Sequence, residues 1–171
     1  AKGLPFVDVR HWYQVEGVAP EPEEEGFQRS LQEARSAVTY ALGQRRYDSI
    51  VLMGKSYGTR IMNDLCLTMP ELAGCKLVYL TPVFPWDGFP EKFASLGQPA
   101  LVVLGTRDEC YDASQLEQLS ASRAFRLTVL PNVHHGLEDP HDYLNSIRSL
   151  ETICKAVEDL LDSEAMNGPQ A

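Results

Sequence analysis

One stretch decides the fold of this 171-residue chain: Ile50-Val51-Leu52-Met53-Gly54-Lys55-Ser56-Tyr57-Gly58. Its first four residues form a short apolar run rich in branched side chains, which is typical of a strand buried on both faces. The residues from Tyr57 to Leu67 predict a helix that ends near Pro70. A strand, a tight turn and a helix therefore follow one another without a break.

Three further apolar runs of the same kind follow, at Leu77–Leu80, Leu101–Leu104 and Leu127–Leu130. The four runs begin 27, 24 and 26 residues apart, which leaves room for a crossover between parallel strands. Alternating strands and helices of this kind predict a three-layer α/β/α sandwich with a mainly parallel sheet and no large cap domain.

Two longer helices and one additional strand complete the predicted order. Apolar residues recur at helical spacing from Phe27 to Leu42, directly after the acidic run Glu23–Glu25. A second apolar stripe of helical spacing extends from Leu144 to Leu161. Upstream, the run Phe6–Val9 suggests an extra strand.

Composition limits the domain count and the partners. A length of 171 residues fits a single domain, which we expect over residues 1–162, with a flexible tail over residues 163–171. The formal net charge of -9 disfavours nucleic acids and anionic membranes as partners. No apolar run approaches the roughly 18–20 residues of a membrane-spanning helix, and no signal peptide is visible.

The four cysteines, Cys66, Cys75, Cys110 and Cys154, are widely spaced and form no C-x-x-C pair. This spacing excludes zinc ribbons and thioredoxin-like motifs and favours buried free thiols in a reducing cytoplasm. Cytoplasmic localisation is therefore the expectation.

The segment Gly54–Gly58 matches the pattern G-x-S-x-G between a predicted strand and a predicted helix. This is the context of a nucleophile elbow, a strained turn that presents a serine hydroxyl at the carboxyl edge of a sheet. A phosphate-binding P-loop would need glycine at Ser49 and loop residues at Ile50–Met53, where a strand is predicted, so this alternative is rejected.

A nucleophilic serine requires a base, and the base requires an orienting acid. The third apolar run is followed by Asp108, which competes with Glu109 and Asp112 for the role of the acid. The fourth run is followed by His134 and His135, and we favour His135 because the following glycine leaves its imidazole accessible. The carboxyl ends of parallel strands meet at one sheet edge, so these groups are expected to lie together.

These residues resemble the α/β-hydrolase superfamily, specifically a group of small bacterial members. The resemblance rests on GKSYGT at the elbow, on Leu80-Thr81-Pro82, on the acid turn GTRD and on NVHHGLE. It implies Ser56 as nucleophile, Asp108 as acid, His135 as base and the Tyr57 N–H as oxyanion donor. The implied function is hydrolysis of small ester or thioester substrates, and the oligomeric state stays open, a homodimer included.

The chain departs from the superfamily at its N-terminal side. Members usually begin with strands that precede Phe6 here, and a His-Gly-rich loop after one of them supplies a second oxyanion N–H. We expect either that the natural N-terminus is lacking or that His11-Trp12 or the Gly17 loop provides this donor. A non-catalytic binding module is accordingly the alternative function.

The remaining expectations concern substrate contacts and metals. Trp86, Phe89 and Tyr111 are expected to contact substrate, with packing over the sheet edge as the alternative for the aromatic stretch. The crowded segment His134–Asp142 holds three histidines and three acidic residues, but its spacing fits no familiar zinc pattern. We therefore expect neither a metal nor another cofactor.

Overall fold

The computed structural model describes residues 23–163, and the chain divides into two compact units with the boundary between Asp48 and Ser49. In the first unit, helix α1 spans Glu23–Gln44, where the sequence predicts a helix. Its first turn carries the three glutamates, whose charges favour a helix N-terminus. The additional strand predicted near Phe6 lies outside the described residues.

The described part of the second unit, residues 49–163, contains a four-stranded sheet, four α-helices and a short 3-10 helix at Pro70–Leu72. The strands are β1 (Val51–Lys55), β2 (Lys76–Leu80), β3 (Ala100–Gly105) and β4 (Arg126–Leu130), and the helices are α2 (Tyr57–Thr68), α3 (Phe89–Ser95), α4 (Ala113–Ser122) and α5 (Tyr143–Asp162). All neighbouring strands are parallel, in the order β1-β2-β3-β4. Each crossover therefore returns to the next strand in the same direction.

Side chains of the sheet alternate between two covered faces. Val78 and Leu101 pack with Ile153 of α5 on one face. On the other face, the Tyr79 ring contacts Phe93 of α3, and its hydroxyl donates to Asn63 Oδ1 of α2 at 2.7 Å. Helices thus cover both faces of the sheet, which confirms the predicted α/β sandwich.

The outer strands are less buried than the sequence predicts. The side chains of β2 and β3 are almost entirely inaccessible, as expected for strands covered on both faces. At the two edges of the described sheet, Met53 of β1 and both Leu127 and Val129 of β4 are partly exposed. An edge strand has a neighbour on one side only, so the helical layers cover it incompletely.

Helix α5 buries only part of the stripe that the sequence predicts. Of the predicted residues, Leu160 is buried and Val157 packs against the core, and the others are Leu144, Ile147, Leu150, Cys154 and Leu161. Its core face consists of Ser149, Ile153 and Leu160, whereas Ile147 and Leu150 are exposed. The predicted stripe was too wide for the single face that a helix presents to a sheet. Among residues 23–163, no helix is long and apolar enough to cross a membrane.

All four cysteines are free. Three of them, Cys66, Cys75 and Cys110, are buried as expected, whereas Cys154 is exposed on α5.

Candidate active site

Ser56 occupies a sharp turn between β1 and α2. Its φ of 51° and ψ of -122° place a non-glycine residue in a sparsely populated region of backbone space. Two features stabilise this turn: the Ser56 N–H donates to Leu80 O at 2.9 Å, and α2 passes close over Gly54. A Cβ at Gly54 would lie 2.8 Å from Gly58 O, so only glycine fits there.

The two glycine positions of the motif differ in whether neighbouring atoms leave space for a side chain. The sequence predicts that a side chain at either position would collide with neighbouring backbone. The structure supports this at Gly54 only, since a Cβ at Gly58 would have nothing within 4 Å beyond its own helix.

The turn after β3 brings an acid beside the segment after β4. Thr106 N–H donates to Leu130 O and Arg107 N–H to Val133 O, each at 2.9 Å. A Cβ at Gly105 would lie 2.0 Å from Val133 O, so glycine is required for this approach. The result is that Asp108 is held against the loop that carries the histidines.

Ser56, His135 and Asp108 form one continuous chain of hydrogen bonds. His135 Nε2 lies 2.7 Å from Ser56 Oγ, and His135 Nδ1 lies 2.9 Å from Asp108 Oδ1. A carboxylate oxygen only accepts, so Nδ1 carries the proton and Nε2 accepts from the serine hydroxyl. The His135 side chain is 30% exposed, whereas the Asp108 side chain is inaccessible.

The competing residues lie elsewhere. The ring of His134 folds back over Gly136, whose N–H donates to His134 Nδ1 at 2.8 Å. Asp112 caps the N-terminus of α4, where its Oδ1 accepts from Ser114 N–H at 2.8 Å. The structure therefore groups Asp108 and His135, and not their neighbours, with Ser56.

Comparisons with known proteins identify the family of this chain. The family described as alpha/beta hydrolase domain matches residues 16–162, most of the chain. This protein belongs to the α/β hydrolase family. No functionally curated protein has detectable sequence similarity to it.

Solved structures share the fold of this α/β hydrolase at low sequence identity. A serine hydrolase homologue from Coxiella burnetii is 19% identical, with a TM-score of 0.58 over 80% of this chain and 62% of that one. Est1E from Butyrivibrio proteoclasticus is 17% identical, with a TM-score of 0.56 over 77% of this chain and 71% of that one. A protein of unknown function from Agrobacterium tumefaciens, described as an α/β hydrolase, is 20% identical, with a TM-score of 0.61 over 93% and 71%.

This chain is shorter than several of these neighbours. It spans 62% of the Coxiella burnetii chain and 63% of a hydrolase from Thermoplasma acidophilum. His11-Trp12 and Gly17, considered for the second oxyanion donor, lie outside the described residues.

Helix α5 anchors the loop that carries the two histidines. Asn145 Nδ2 donates to Pro131 O and to Asp139 Oδ2, both at 2.9 Å, and Ser146 Oγ accepts from Asp139 N–H at 2.9 Å. Sequence reasoning missed these supports. Their only signal is that short polar residues recur in the first turn of a helix directly after the histidines.

A lysine of the elbow also reaches the histidine loop. Lys55 Nζ donates to His135 O at 3.3 Å, although the two residues are 80 positions apart in sequence. The elbow and the histidine loop are thus linked through a second contact beside the serine–histidine hydrogen bond.

The three aromatic residues predicted to contact substrate have different environments. Trp86 is 39% exposed, and its ring packs edge-on against Tyr57, 5.9 Å between centroids, next to Ser56. Phe89 lies in the core instead, only 2% exposed and packed against Phe84, because the short helix α3 turns it towards the sheet. Tyr111 lines a surface cavity of about 290 Å³ with residues of α4 and β4.

The possible metal ligands that the structure brings together differ from the cluster His134–Asp142 considered in the sequence analysis. Among the described residues, the ligand atoms of Asp108, Cys110 and His135 lie within 4.8 Å of one another. The acidic residues and histidines of the segment after β4 form no such group within residues 23–163. They instead cap and anchor the loop, as the bond from His141 N–H to Asp139 Oδ1 at 3.0 Å illustrates.

Proposed function

We propose that this protein is a serine hydrolase that cleaves small ester or thioester substrates through an acyl-enzyme on Ser56. The observation that carries the proposal is the continuous hydrogen-bonded chain from Ser56 Oγ through the His135 imidazole to Asp108 Oδ1. Nucleophile, base and orienting acid stand in the geometry that acyl transfer requires. The strained backbone of Ser56 supports the same role, since such strain is frequent at active sites.

The mechanism follows from the positions of the protons. His135 Nε2 removes the proton of Ser56 as Oγ attacks the acyl carbonyl carbon, and the proton then passes to the leaving alcohol or thiol. Water activated by His135 hydrolyses the acyl-enzyme in the second half of the cycle. Asp108 keeps the Nδ1–H tautomer and stabilises the imidazolium ion that forms in each half.

The oxyanion of the tetrahedral intermediate requires donors beside Ser56. Tyr57 is the first residue of α2, and the N–H groups of the first helical turn point out of the helix end. We assign the Tyr57 N–H to the oxyanion hole, where the partial positive charge of the helix N-terminus adds to its effect.

The surroundings of Ser56 support small substrates. Trp86 packs beside the elbow, and Arg60 lies 5.8 Å above its ring. A half-exposed indole next to the nucleophile offers an apolar contact for a short acyl or alcohol group. Phe89 is not part of this proposal, because it is buried in the core.

The free cysteines support a cytoplasmic location. Oxidising compartments favour disulfides, whereas all four thiols of this chain are free. We therefore assign the protein to the reducing environment of the cytoplasm.

Covalent labelling tests the proposed activity. The protein is treated with a fluorophosphonate, and its intact mass is measured alongside the variant Ser56→Ala. We expect a single adduct in the natural protein and none in the variant. A folded protein that forms no adduct would overturn the proposal and favour a non-catalytic binding module, which does not activate a hydroxyl.

A substrate panel tests the finer assignment. Acetyl, butyryl and octanoyl esters of p-nitrophenol are compared with the matching thioesters, with Ser56→Ala as the blank. We expect turnover of the short acyl groups that disappears in the variant. Preference for the octanoyl group would contradict the assignment of small substrates while leaving the serine mechanism intact.

A further inference from the structure

The acid of the triad has one carboxylate oxygen without a partner. Asp108 Oδ1 accepts from His135 Nδ1 and also from Cys110 N–H at 2.9 Å. Oδ2 is buried and has no hydrogen-bond partner among the described residues. A buried carboxylate oxygen without a donor is costly, so this position favours a proton donor or a cation.

A thiol lies beside this carboxylate. Cys110 is only 8% exposed. Its backbone N–H donates to Asp108 Oδ1, so the thiol belongs to a residue in direct contact with the carboxylate. A thiolate is one of the ligands that zinc prefers.

We propose that Asp108, Cys110 and His135 form a binding site for a thiophilic divalent cation, such as zinc, that inhibits the hydrolase. The three side chains supply one oxygen, one sulfur and one nitrogen within 4.8 Å of one another. Bonds of about 2.0–2.3 Å in a tetrahedral zinc site place ligand atoms roughly 3.3–3.8 Å apart, so small side-chain rotations suffice. The partly exposed imidazole of His135 gives the cation access to the buried ligands.

The inhibition follows from the tautomer of His135, and this step rests on the proposed function. A cation on Nδ1 takes the lone pair of that nitrogen, so the ring proton moves to Nε2. The Cys110 thiol releases its proton to solvent as the thiolate binds the metal. Nε2 then donates to Ser56 Oγ and no longer accepts its proton, which removes the general base.

Cadmium absorption tests the site independently of any activity. Cadmium bound by a thiolate gives an ultraviolet charge-transfer band, which is titrated in the natural protein, Cys154→Ser, Cys110→Ser and the double variant. Cys154 is the matched control because it is the exposed cysteine. We expect the saturable band to persist in Cys154→Ser and to be lost in Cys110→Ser. A band lost only with Cys154 would overturn the proposal.

Labelling of Ser56 tests the inhibitory effect. The fluorophosphonate rate is measured with and without zinc, and each variant is compared with its own zinc-free rate. We expect zinc to slow labelling of the natural protein and of Cys154→Ser, and the zinc concentration required to rise by about 10–100-fold or more in Cys110→Ser. Equal sensitivity of both variants would overturn the proposal.

The two experiments keep the two proposals apart. If Ser56 is not labelled even without zinc, the proposed hydrolase activity fails, whereas the cadmium band still decides whether the site exists. If labelling occurs but the band is absent in Cys154→Ser, the cation site fails and the hydrolase assignment stands.

Discussion

The two adjacent histidines differ only in what their rings contact, and this difference decides their roles. The His135 ring bridges Ser56 and Asp108, whereas the His134 ring accepts from the N–H of Gly136. The mechanism proposed above therefore assigns proton transfer to His135 and a role in shaping the loop to His134.

Replacing each histidine separately by alanine tests this division. We expect His135→Ala to slow ester turnover by on the order of 10³-fold or more, because the base is lost. His134→Ala should keep most of the activity and lower the melting temperature slightly. The measurement is kcat/KM for the best ester, with circular dichroism as the check on folding. The reverse order of effects would assign the base to His134.

The sequence identifies Ser56, Asp108 and His135 as candidates because each follows an apolar run that ends at the same sheet edge. It favours His135 over His134 through the glycine that follows. In the structure, however, Gly136 makes room for the ring of His134, and the fold of the loop turns the His135 ring towards Ser56. Gly105 shows more clearly what cannot be predicted from the sequence alone. Its need for glycine arises from Val133 O, a carbonyl of the loop after β4, and no local sequence pattern indicates this contact.

At the scale of elements, the elbow depends on how closely α2 passes β1. The gap between Gly54 and the backbone of Gly58 and Thr59 leaves no space for a methyl group. Comparing Gly54→Ala with Gly58→Ala therefore distinguishes a steric requirement for glycine from a requirement for its backbone flexibility.

We expect Gly54→Ala to lower the free energy of unfolding by about 1–3 kcal/mol or more, because the new Cβ overlaps the backbone of α2. Gly58→Ala should leave stability unchanged or slightly higher, since alanine favours a helix and its Cβ meets open space. Urea unfolding of both variants provides the measurement. Equal losses would mean that the turn requires glycine at both positions, as the sequence pattern alone suggests.

The cap of α4 gives a prediction about pH. Asp112 Oδ1 accepts from Ser114 Oγ and from the N–H groups of Ser114 and Gln115, and these bonds hold the pKa of the Asp112 carboxyl below its usual value. A lowered folded-state pKa stabilises the protein above the unfolded-state pKa, and this contribution is lost as the pH falls through the folded-state value.

Asp112→Ala should therefore unfold at a lower temperature than the natural protein at neutral pH. The difference between the two melting temperatures should shrink as the pH falls below the ordinary range of a carboxyl group. Asp112→Asn serves as the control, since asparagine also caps helices and has no charge to lose. A difference that stays constant down to acidic pH would contradict the capping role.

The elements themselves were largely predictable, for a physical reason that differs between strands and helices. Buried parallel strands leave continuous apolar runs, so β2 and β3 are visible in the sequence almost to the residue. Helix α5 was found, but its buried face was identified only in part. Its apolar residues extend beyond the face that meets the sheet, and only the packing in three dimensions selects Ile153 and Leu160.

At the scale of the molecule, the parallel order of four strands gathers the ends of β1, β3 and β4 at one edge. The same molecule carries a formal net charge of -9, which acts over distances far longer than a hydrogen bond. Substrates that approach this edge therefore experience a field set by the whole chain, in addition to the local contacts.

The net charge predicts how salt changes the reaction with charged substrates. We expect kcat/KM for an anionic ester, such as a monosuccinate ester, to rise with ionic strength, because salt screens the repulsion beyond a Debye length of about 10 Å at 0.1 M. A neutral ester of the same leaving group should show no such dependence. Initial rates between low and moderate salt, at fixed pH, provide the comparison. A rate for the anionic ester that falls with salt would instead show that cationic side chains beside the elbow, such as Lys55, dominate the local field over the charge of the whole molecule.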